Sequence, residues 1–242
     1  MNFEPIRYEA SGSFYAGFLA DGSAGARVPG VLVIHEAGGL TAQTKARAVQ
    51  LAEAGYVAFA MDLFGPQFEL PAPGDPDTMA KAQAEVRALR DDVPELRARV
   101  IAALGVLQAH PHVDSGRLAA VGYCLGGAVA IELARTGAPL RAAVGFHAGI
   151  LPGTAEDDAA IRAQVLLCHG ADDPVVPLSQ IVEFTERLSA AGKDWQLHAY
   201  GGVGHSFTNP LIDAFGFPGF RYDERADRRS WAAMLHLFSE VF

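Results

Sequence analysis

The stretch that most constrains this chain is Gly122-Tyr-Cys-Leu-Gly126, which follows a short apolar run and precedes a segment of small residues. Its spacing is that of a nucleophile elbow, with cysteine in the position usually held by serine. In such a turn the central residue has a strained backbone, and the flanking glycines remove Cβ atoms where strand and helix meet. The side chain then projects over the positive N-terminus of the helix, whose field favours a thiolate. The pattern predicts Cys124 as a nucleophile; the alternative is a small buried cysteine in a Gly-rich turn.

Length, charge and cysteine content exclude several classes of protein. With 242 residues, half of them hydrophobic, the chain can bury a sizeable core, and we predict one domain over residues 1–242. A net charge of −9 argues against nucleic acid or an anionic membrane as a partner. No apolar run approaches the ~20 residues that span a bilayer, and the N-terminus does not resemble a signal peptide. Two cysteines, Cys124 and Cys168, are typical of a reducing compartment, so we expect a cytoplasmic protein.

Short apolar runs alternate with amphipathic segments along the chain. This alternation predicts an α/β fold with a mostly parallel sheet, helices on both faces and an N-terminal β-hairpin. Strands are predicted at Ile6–Ala10, Ser13–Ala20, Val28–Ile34, Tyr56–Met61, Leu118–Val121, Leu140–Phe146, Val165–His169 and Trp195–Tyr200. Helices are predicted at Thr41–Ala54, Thr78–Arg90, Glu95–Ala109, Gly126–Arg135, Leu178–Ala191 and Glu224–Val241. The proline-containing segment Leu70–Asp77 is predicted to be a loop.

A nucleophilic thiol needs a base and a group that orients the base, and two later segments offer them. The strand Val165–His169 is followed by two carboxylates, Asp172 and Asp173, and the last predicted strand is followed by His205. Loops after the carboxyl ends of parallel strands meet at one edge of the sheet, so these groups are expected near Cys124. The order nucleophile, acid, base is that of α/β-hydrolases. Taken singly, an Asp in a turn or a lone His is more often structural; the residues alone leave Asp172 and Asp173 as alternatives.

The loop after the strand Val28–Ile34 supplies the remaining parts of a hydrolytic site. In a fold of this kind one oxyanion donor comes from this loop and the other from the residue after the nucleophile. We therefore assign the backbone N–H groups of Ala37 and Leu125 to the oxyanion hole. Glu36 precedes Ala37, and a carboxylate beside a thiol opposes thiolate formation. The residues alone leave two roles for Glu36: a functional group, or a carboxylate that closes the loop.

Together these segments resemble the dienelactone hydrolase family, from about residue 28 to the final helix. The resemblance implies a single α/β-hydrolase domain in which Cys124 is the nucleophile and His205 the base. It implies Asp173, three residues after Gly170, as the acid, with Asp172 as the fallback, and it implies that Glu36 holds the resting thiol. The motifs that carry the resemblance are His35–Leu40, Asp62–Gly65, Gly122–Gly127, Gly170–Pro177 and Gly204–Phe207.

One position departs from the family members that act on dienelactone, a lactone bearing a carboxylate. These resemble one another in an arginine four residues after the catalytic histidine, where this chain has Asn209. We therefore expect another substrate, and predict a cysteine hydrolase of small-molecule esters or lactones that needs no metal, cofactor or obligate protein partner. The alternatives are a hydrolase-fold protein that binds a ligand without turnover, and a thioesterase or other acyl-transfer enzyme. A class I glutaminase is disfavoured, because its base sits in a His-x-Glu sequence that is absent at His205.

Overall fold

Strands and helices alternate in the computed structural model, which describes residues 1–70, 72–73, 75 and 77–242. The chain divides into two compact units, Met1–Val121 and Gly122–Phe242. Three residues of the predicted Leu70–Asp77 loop lie outside the described residues: Pro71, Gly74 and Pro76. Among the helices that the structure describes, none combines the length and the apolar character needed to cross a membrane.

The first unit begins with the predicted hairpin. Strand β1 (Asn2–Ala10) pairs antiparallel with β2 (Ser13–Asp21). The loop residues Ser11 and Gly12 both have positive φ, 49° and 75°, the geometry that matches the twist of a tight hairpin. Strand β1 starts at Asn2 rather than at the predicted Ile6. The sequence did not indicate the added residues because Pro5 disfavours a strand and three of the four residues are exposed.

The rest of the first unit follows the predicted alternation. Its elements are β3 (Val28–Ile34), α1 (Ala42–Glu53), β4 (Val57–Ala60), α2 (Thr78–Asp91), α3 (Val93–Ala109) and β5 (Val113–Tyr123), whose last two residues belong to the second unit. Its strands are ordered β1-β2-β4-β3-β5; β2 pairs antiparallel with β4, and β3 pairs parallel with β4. Helix α3 buries the apolar face predicted for it, which consists of Leu96, Val100, Leu104 and Leu107.

The second unit is a parallel arrangement with helices between its strands. Its elements are α4 (Leu125–Arg135), β6 (Ala142–Phe146), α5 (Ala155–Ala160), β7 (Gln164–Gly170), α6 (Leu178–Ala190), β8 (Trp195–Tyr200), a 3-10 turn (Ile212–Phe215) and α7 (Glu224–Val241). Its strands are ordered β6-β7-β8, and both pairs are parallel. Helix α5 was not predicted; the side chain of Thr154 accepts the N–H of Asp157, and Asp157 accepts the N–H of Thr154, so a reciprocal cap holds this short helix.

The register of the second unit brings three strand ends to one edge. Phe146 at the end of β6 pairs with Cys168, and Gly170 at the end of β7 pairs with Tyr200 at the end of β8. The segments that carry His147, Asp173 and His205 therefore leave from the same edge. The predicted α/β class, with its mostly parallel strands and N-terminal hairpin, is confirmed.

Candidate active site

Cys124 occupies the predicted sharp turn between β5 and α4. Its backbone angles are φ 52° and ψ −115°, a region that side chains rarely adopt and that costs about 1–3 kcal/mol. A Cβ at Gly122 would collide with the backbone carbonyl of Gly126, which explains the glycine two residues before the cysteine. The carbonyl of Cys124 accepts the N–H of Gly127, which starts the helix directly after the turn. Cys124 is half-buried, whereas Cys168 is buried.

The imidazole of His205 lies between the thiol and a carboxylate. Its Nε2 is 3.0 Å from Cys124 Sγ, and its Nδ1 is 2.6 Å from Asp173 Oδ2. The other oxygen of Asp173 accepts the backbone N–H groups of Val175 and Val176 at 2.8 and 2.9 Å. Each group in the series is therefore oriented by the next, and the acid is anchored to the backbone of its own loop.

The structure separates the two carboxylates that the residues left as alternatives. Asp173 is 6% exposed and contacts the ring of His205, whereas Asp172 is exposed to solvent. Gly170 lets the loop pass close by, since a Cβ there would strike the carbonyl groups of Val203 and Gly204. The family resemblance pointed to the same residue, three positions after that glycine.

Charge interactions stabilise the protonated imidazole. Burial alone would lower the pKa of His205, but the negative charge of Cys124 and the hydrogen bond with Asp173 raise it to about 10. Burial would likewise raise the pKa of Asp173, yet its hydrogen bond and charge interaction with His205 bring that pKa below its ordinary value. Both shifts favour a protonated imidazole paired with an ionised Asp173 carboxylate.

The segment that carries His205 is fixed by its neighbours. The N–H of His205 donates to the carbonyl of Gly219 at 3.0 Å, and the carbonyl of His205 accepts the N–H of Arg221 at 3.1 Å. The ring of Phe220 meets the imidazole edge-on, with centroids 4.8 Å apart. Asn209, the position where dienelactone-specific enzymes resemble one another in having arginine, accepts the N–H of Leu211 through Oδ1 at 3.0 Å, so its side chain closes a turn.

His147 is a further histidine at this edge that the sequence analysis missed. It directly follows β6, is fully buried and has a φ of 40°. Its Nδ1 lies 3.1 Å from the backbone nitrogen of Cys124, and its Nε2 lies 2.9 Å from Thr208 Oγ1. Applying the strand-end rule to Leu140–Phe146, as it was applied to the two later strands, would have singled this residue out.

Glu36 and Ala37 lie in the first unit, in the loop after β3, and both are half-buried. The carbonyl of Glu36 accepts the N–H of Gly39 at 3.1 Å and the Nδ1–H of His35 at 2.6 Å. His35 Nε2 in turn accepts the N–H of Leu63 at 3.0 Å, so this ring holds the loop on both sides. Burial lowers the pKa of His35, in agreement with a neutral ring that both donates and accepts. Leu125, the other residue assigned to the oxyanion hole, is the buried first residue of α4.

One cluster among the described residues has the composition of a metal site. Ligand atoms of Asp21, His110 and His112 all lie within 4.8 Å of one another in the first unit. However, His112 Nδ1 is already within hydrogen-bond distance of Asp21 Oδ2, at 2.7 Å, and of Ser23 Oγ, at 3.1 Å. The hydrogen bond between His112 and Asp21 accounts for the proximity of these two groups. Both contacts use the same ring nitrogen, so the cluster also lacks the relay geometry of a catalytic triad.

Comparisons with known proteins show which family the chain is similar to. The model of the dienelactone hydrolase family matches residues 16–242. A dienelactone hydrolase-like promiscuous phosphotriesterase from metagenomic libraries is 40% identical, with a TM-score of 0.93 over 100% of this chain and 98% of its own. A probable 2-oxo-3-(5-oxofuran-2-ylidene)propanoate lactonase of Bradyrhizobium sp is 34% identical, over 78% of this chain and 77% of its own.

A further relative lies at a similar level of identity. A carboxymethylenebutenolidase of Pseudomonas putida is 30% identical, over 79% of this chain and 80% of its own length. The family model covers nearly the whole chain, including every segment that carried the resemblance in the sequence. This chain is therefore a hydrolase that belongs to the dienelactone hydrolase family.

Proposed function

We propose that this protein hydrolyses carboxylic esters or lactones through a Cys124–His205–Asp173 triad. One observation carries the proposal: the contacts Sγ to Nε2 (3.0 Å) and Nδ1 to Oδ2 (2.6 Å) form an unbroken series in one unit of the chain. A binding protein without turnover would have no need for a strained, partly exposed thiol beside a buried base and acid.

The first half of the reaction forms a thioester. The sulfur of Cys124 attacks the carbonyl carbon, and the carbonyl electrons move to the oxygen, which the N–H groups of Leu125 and Ala37 stabilise. When the tetrahedral intermediate collapses, the bond to the alkoxy oxygen breaks and His205 Nε2 donates its proton to that oxygen. With a lactone, the released hydroxyl stays attached to the acyl group. Asp173 stabilises the imidazolium and orients the ring throughout.

The second half returns the thiol. His205, now neutral, removes a proton from water, and the hydroxyl oxygen attacks the thioester carbon. The carbon–sulfur bond breaks, the carboxylic acid leaves, and Cys124 again pairs with the imidazolium. No electron transfer occurs in either half. Glu36 in this proposal restrains the resting thiol until substrate binds, which limits oxidation of a reactive sulfur between turnovers.

The substrate is proposed to be an ester or lactone without an essential carboxylate. The support is Asn209, whose Oδ1 accepts a backbone N–H in its own turn instead of offering a bidentate cation. A second candidate function is hydrolysis of phosphotriesters, which the 40% identical relative of that description favours. A thioesterase activity would use the same thioester intermediate and is an alternative outcome of the test.

The test is a substrate panel assayed with wild type, Cys124→Ala and Cys168→Ala. The panel contains aryl esters, neutral lactones, a carboxylate-bearing lactone, a thioester and a phosphotriester. We expect turnover of aryl esters and neutral lactones by wild type and Cys168→Ala, and none above background by Cys124→Ala. Hydrolysis that survives in Cys124→Ala, or a wild type active on none of the carboxylic substrates, would contradict the proposal. Activity confined to the phosphotriester would favour the second candidate.

A further inference from the structure

We propose that His147 is a positioning residue that keeps the Cys124 elbow in register with the segment carrying His205. This inference rests on the proposed function, because it concerns the same reaction. The proposal is that one ring nitrogen binds the backbone of the elbow and the other binds Thr208, three residues beyond the base. The buried side chain of His147 would thereby set the distance between Cys124 Sγ and His205 Nε2.

The contact at the elbow determines the form of the ring. The backbone N–H of Cys124 donates to the carbonyl of Phe146 at 2.9 Å and also points at His147 Nδ1 at 3.1 Å. Because a backbone N–H can only donate, Nδ1 must present a lone pair. The ring is then neutral with its proton on Nε2. That proton is directed to the hydroxyl of Thr208 at 2.9 Å, and Thr208 is 1% exposed.

The backbone of His147 is strained, and the contacts of its side chain offset that strain. A buried residue other than glycine is strained at φ 40°, whereas glycine would adopt the same angle without strain. The N–H of His147 donates to the carbonyl of Cys168 at 2.8 Å, so the segment after β6 is tied to β7. Among the described non-glycine residues, the positive φ values of the second unit all fall at this edge: Cys124, His147 and Ser206.

The rings around His147 transmit its position to the base. The ring of His147 meets that of His205 edge-on, with centroids 5.2 Å apart and planes at 65°. It meets Phe207 in the same manner, at 5.2 Å and 80°. His147 is not a second base for the thiol, because both of its nitrogens already face other groups. The alternative role is that of a core histidine whose loss would lower stability without altering the chemistry.

The experiment exploits the separate reach of the two ring nitrogens. His147→Asn retains an acceptor near Nδ1, His147→Gln retains a donor near Nε2, and His147→Ala retains neither. Thr208→Val removes the second contact and leaves the ring in place. Cys168→Ala is the control for a buried substitution in the same unit that lies outside the catalytic groups. Each protein is assayed for kcat and KM on an aryl ester, for the pH profile of iodoacetamide labelling at Cys124, and for Tm.

We expect His147→Ala to lower kcat by roughly 10- to 100-fold with KM changed less than about threefold, since small displacements of reacting groups have effects of this size. His147→Asn should recover at least about a third of the lost factor in kcat, and the labelling profile of His147→Ala should shift from that of wild type. Thr208→Val should lower kcat to a lesser degree, and it tests the proposal even if His147→Ala does not fold.

Three outcomes would overturn the inference. The first is a kcat within about twofold of wild type in His147→Ala or, if that variant is unfolded, in Thr208→Val. The second is a loss of kcat in the Asn, Gln and Ala variants that follows their fall in Tm alone, with no recovery of kcat in the Asn variant. The third is a labelling profile identical to that of wild type in each variant. Failure of the proposed function is distinguishable, because the wild type itself would then be inactive on every ester, whereas labelling of Cys124 still reports on the elbow.

Discussion

Cys124 and Cys168 have the same type of side chain and lie in the same unit of the fold. Their surroundings differ in exposure, backbone conformation and neighbouring groups, which control the reactivity of a thiol. Cys124 is partly exposed, has a positive φ and lies 3.0 Å from an imidazole. Cys168 is fully buried within β7, where its residue pairs with Phe146. Burial raises the pKa of the Cys168 thiol to about 12, although the hydroxyl of Tyr200, 3.8 Å from its sulfur, acts in the opposite direction.

The contrast teaches that position in a parallel sheet decides what a thiol can do. A residue inside a buried strand has an enclosed side chain, and its backbone is hydrogen-bonded to the neighbouring strands. A charge on such a side chain has no water and no opposite charge to stabilise it. A residue just beyond a strand can adopt an unusual backbone and meet groups from the other strand ends. Here the imidazolium of His205 is such a group, with a pKa raised to about 10 by Cys124 and Asp173 against the effect of burial.

The largest expected effect separates the two sulfurs directly. Cys124→Ala should lower kcat/KM on an aryl ester by at least about 10⁴-fold, because the attacking atom is lost. Cys168→Ala should stay within about threefold of wild type and lose stability through the cavity it leaves. Initial rates, with circular dichroism to verify folding, measure both. Comparable losses in the two variants would break the comparison.

The next effect tests whether the partners of Cys124 account for its role. Asp173→Asn should lower kcat by about 10²–10⁴-fold, since the amide cannot stabilise the imidazolium and favours the wrong tautomer. Asp172→Asn is the matched control: it changes the neighbouring carboxylate, which is exposed, and should leave kcat within about twofold. A larger loss in Asp172→Asn than in Asp173→Asn would show that the acid has been assigned to the wrong residue.

Chemical labelling sharpens the comparison in the resting protein. Iodoacetamide should modify Cys124 in the folded protein and leave Cys168 unmodified until unfolding, as peptide mass mapping would reveal. Glu36→Gln should accelerate labelling of Cys124 by roughly three- to tenfold by removing a negative charge that opposes the thiolate. Glu53→Gln, on the last residue of α1, controls for the loss of one charge. Faster labelling of Cys168, or no change in Glu36→Gln, would contradict these assignments.

The last prediction concerns stability at alkaline pH, with no change in activity at neutral pH. The Cys168 thiol keeps its proton to about pH 12 when folded but loses it near 9.0 when unfolded. Between these values the folded state binds more protons, so stability falls as pH rises, by about 1.4 kcal/mol per pH unit from this group. In Cys168→Ala the free energy of unfolding should fall less steeply with pH above 9, even if the variant is less stable than wild type at every pH. An unchanged slope would show that the thiol is not shielded.

Most of the fold could be predicted because its strands are short apolar runs bounded by glycine, proline or polar residues. Strand β5 shows the limit. Only Leu118–Val121 was predicted, whereas the strand begins at Val113. Its first part was missed because Asp114, Ser115 and Gly116 are polar or flexible and are half-buried or exposed. Helix α5 was not predicted for a different reason. With six residues it is too short to show a helical periodicity, and the only sequence feature that indicated it was the pair Thr154 and Asp157, which forms its cap.

The candidate site could be predicted as far as chain order and strand ends reach. Those rules singled out Cys124 and His205, and left two adjacent carboxylates that differ only in burial and direction. They did not reveal His147, because its significance lies in which nitrogen accepts and which donates, and that depends on contacts distant in the chain. The roles of Glu36, Ala37 and Leu125 stay predictions.

The positive φ at the tip of the elbow has a consequence for how such catalysts diversify. The clearance provided by Gly122 depends on backbone shape and is indifferent to whether the tip carries sulfur or oxygen. A serine would occupy the same conformation, and a single nucleotide change converts one codon into the other. The strained bend of the main chain is therefore the feature that is difficult to evolve, whereas the side-chain atom at its tip can be exchanged by a single substitution.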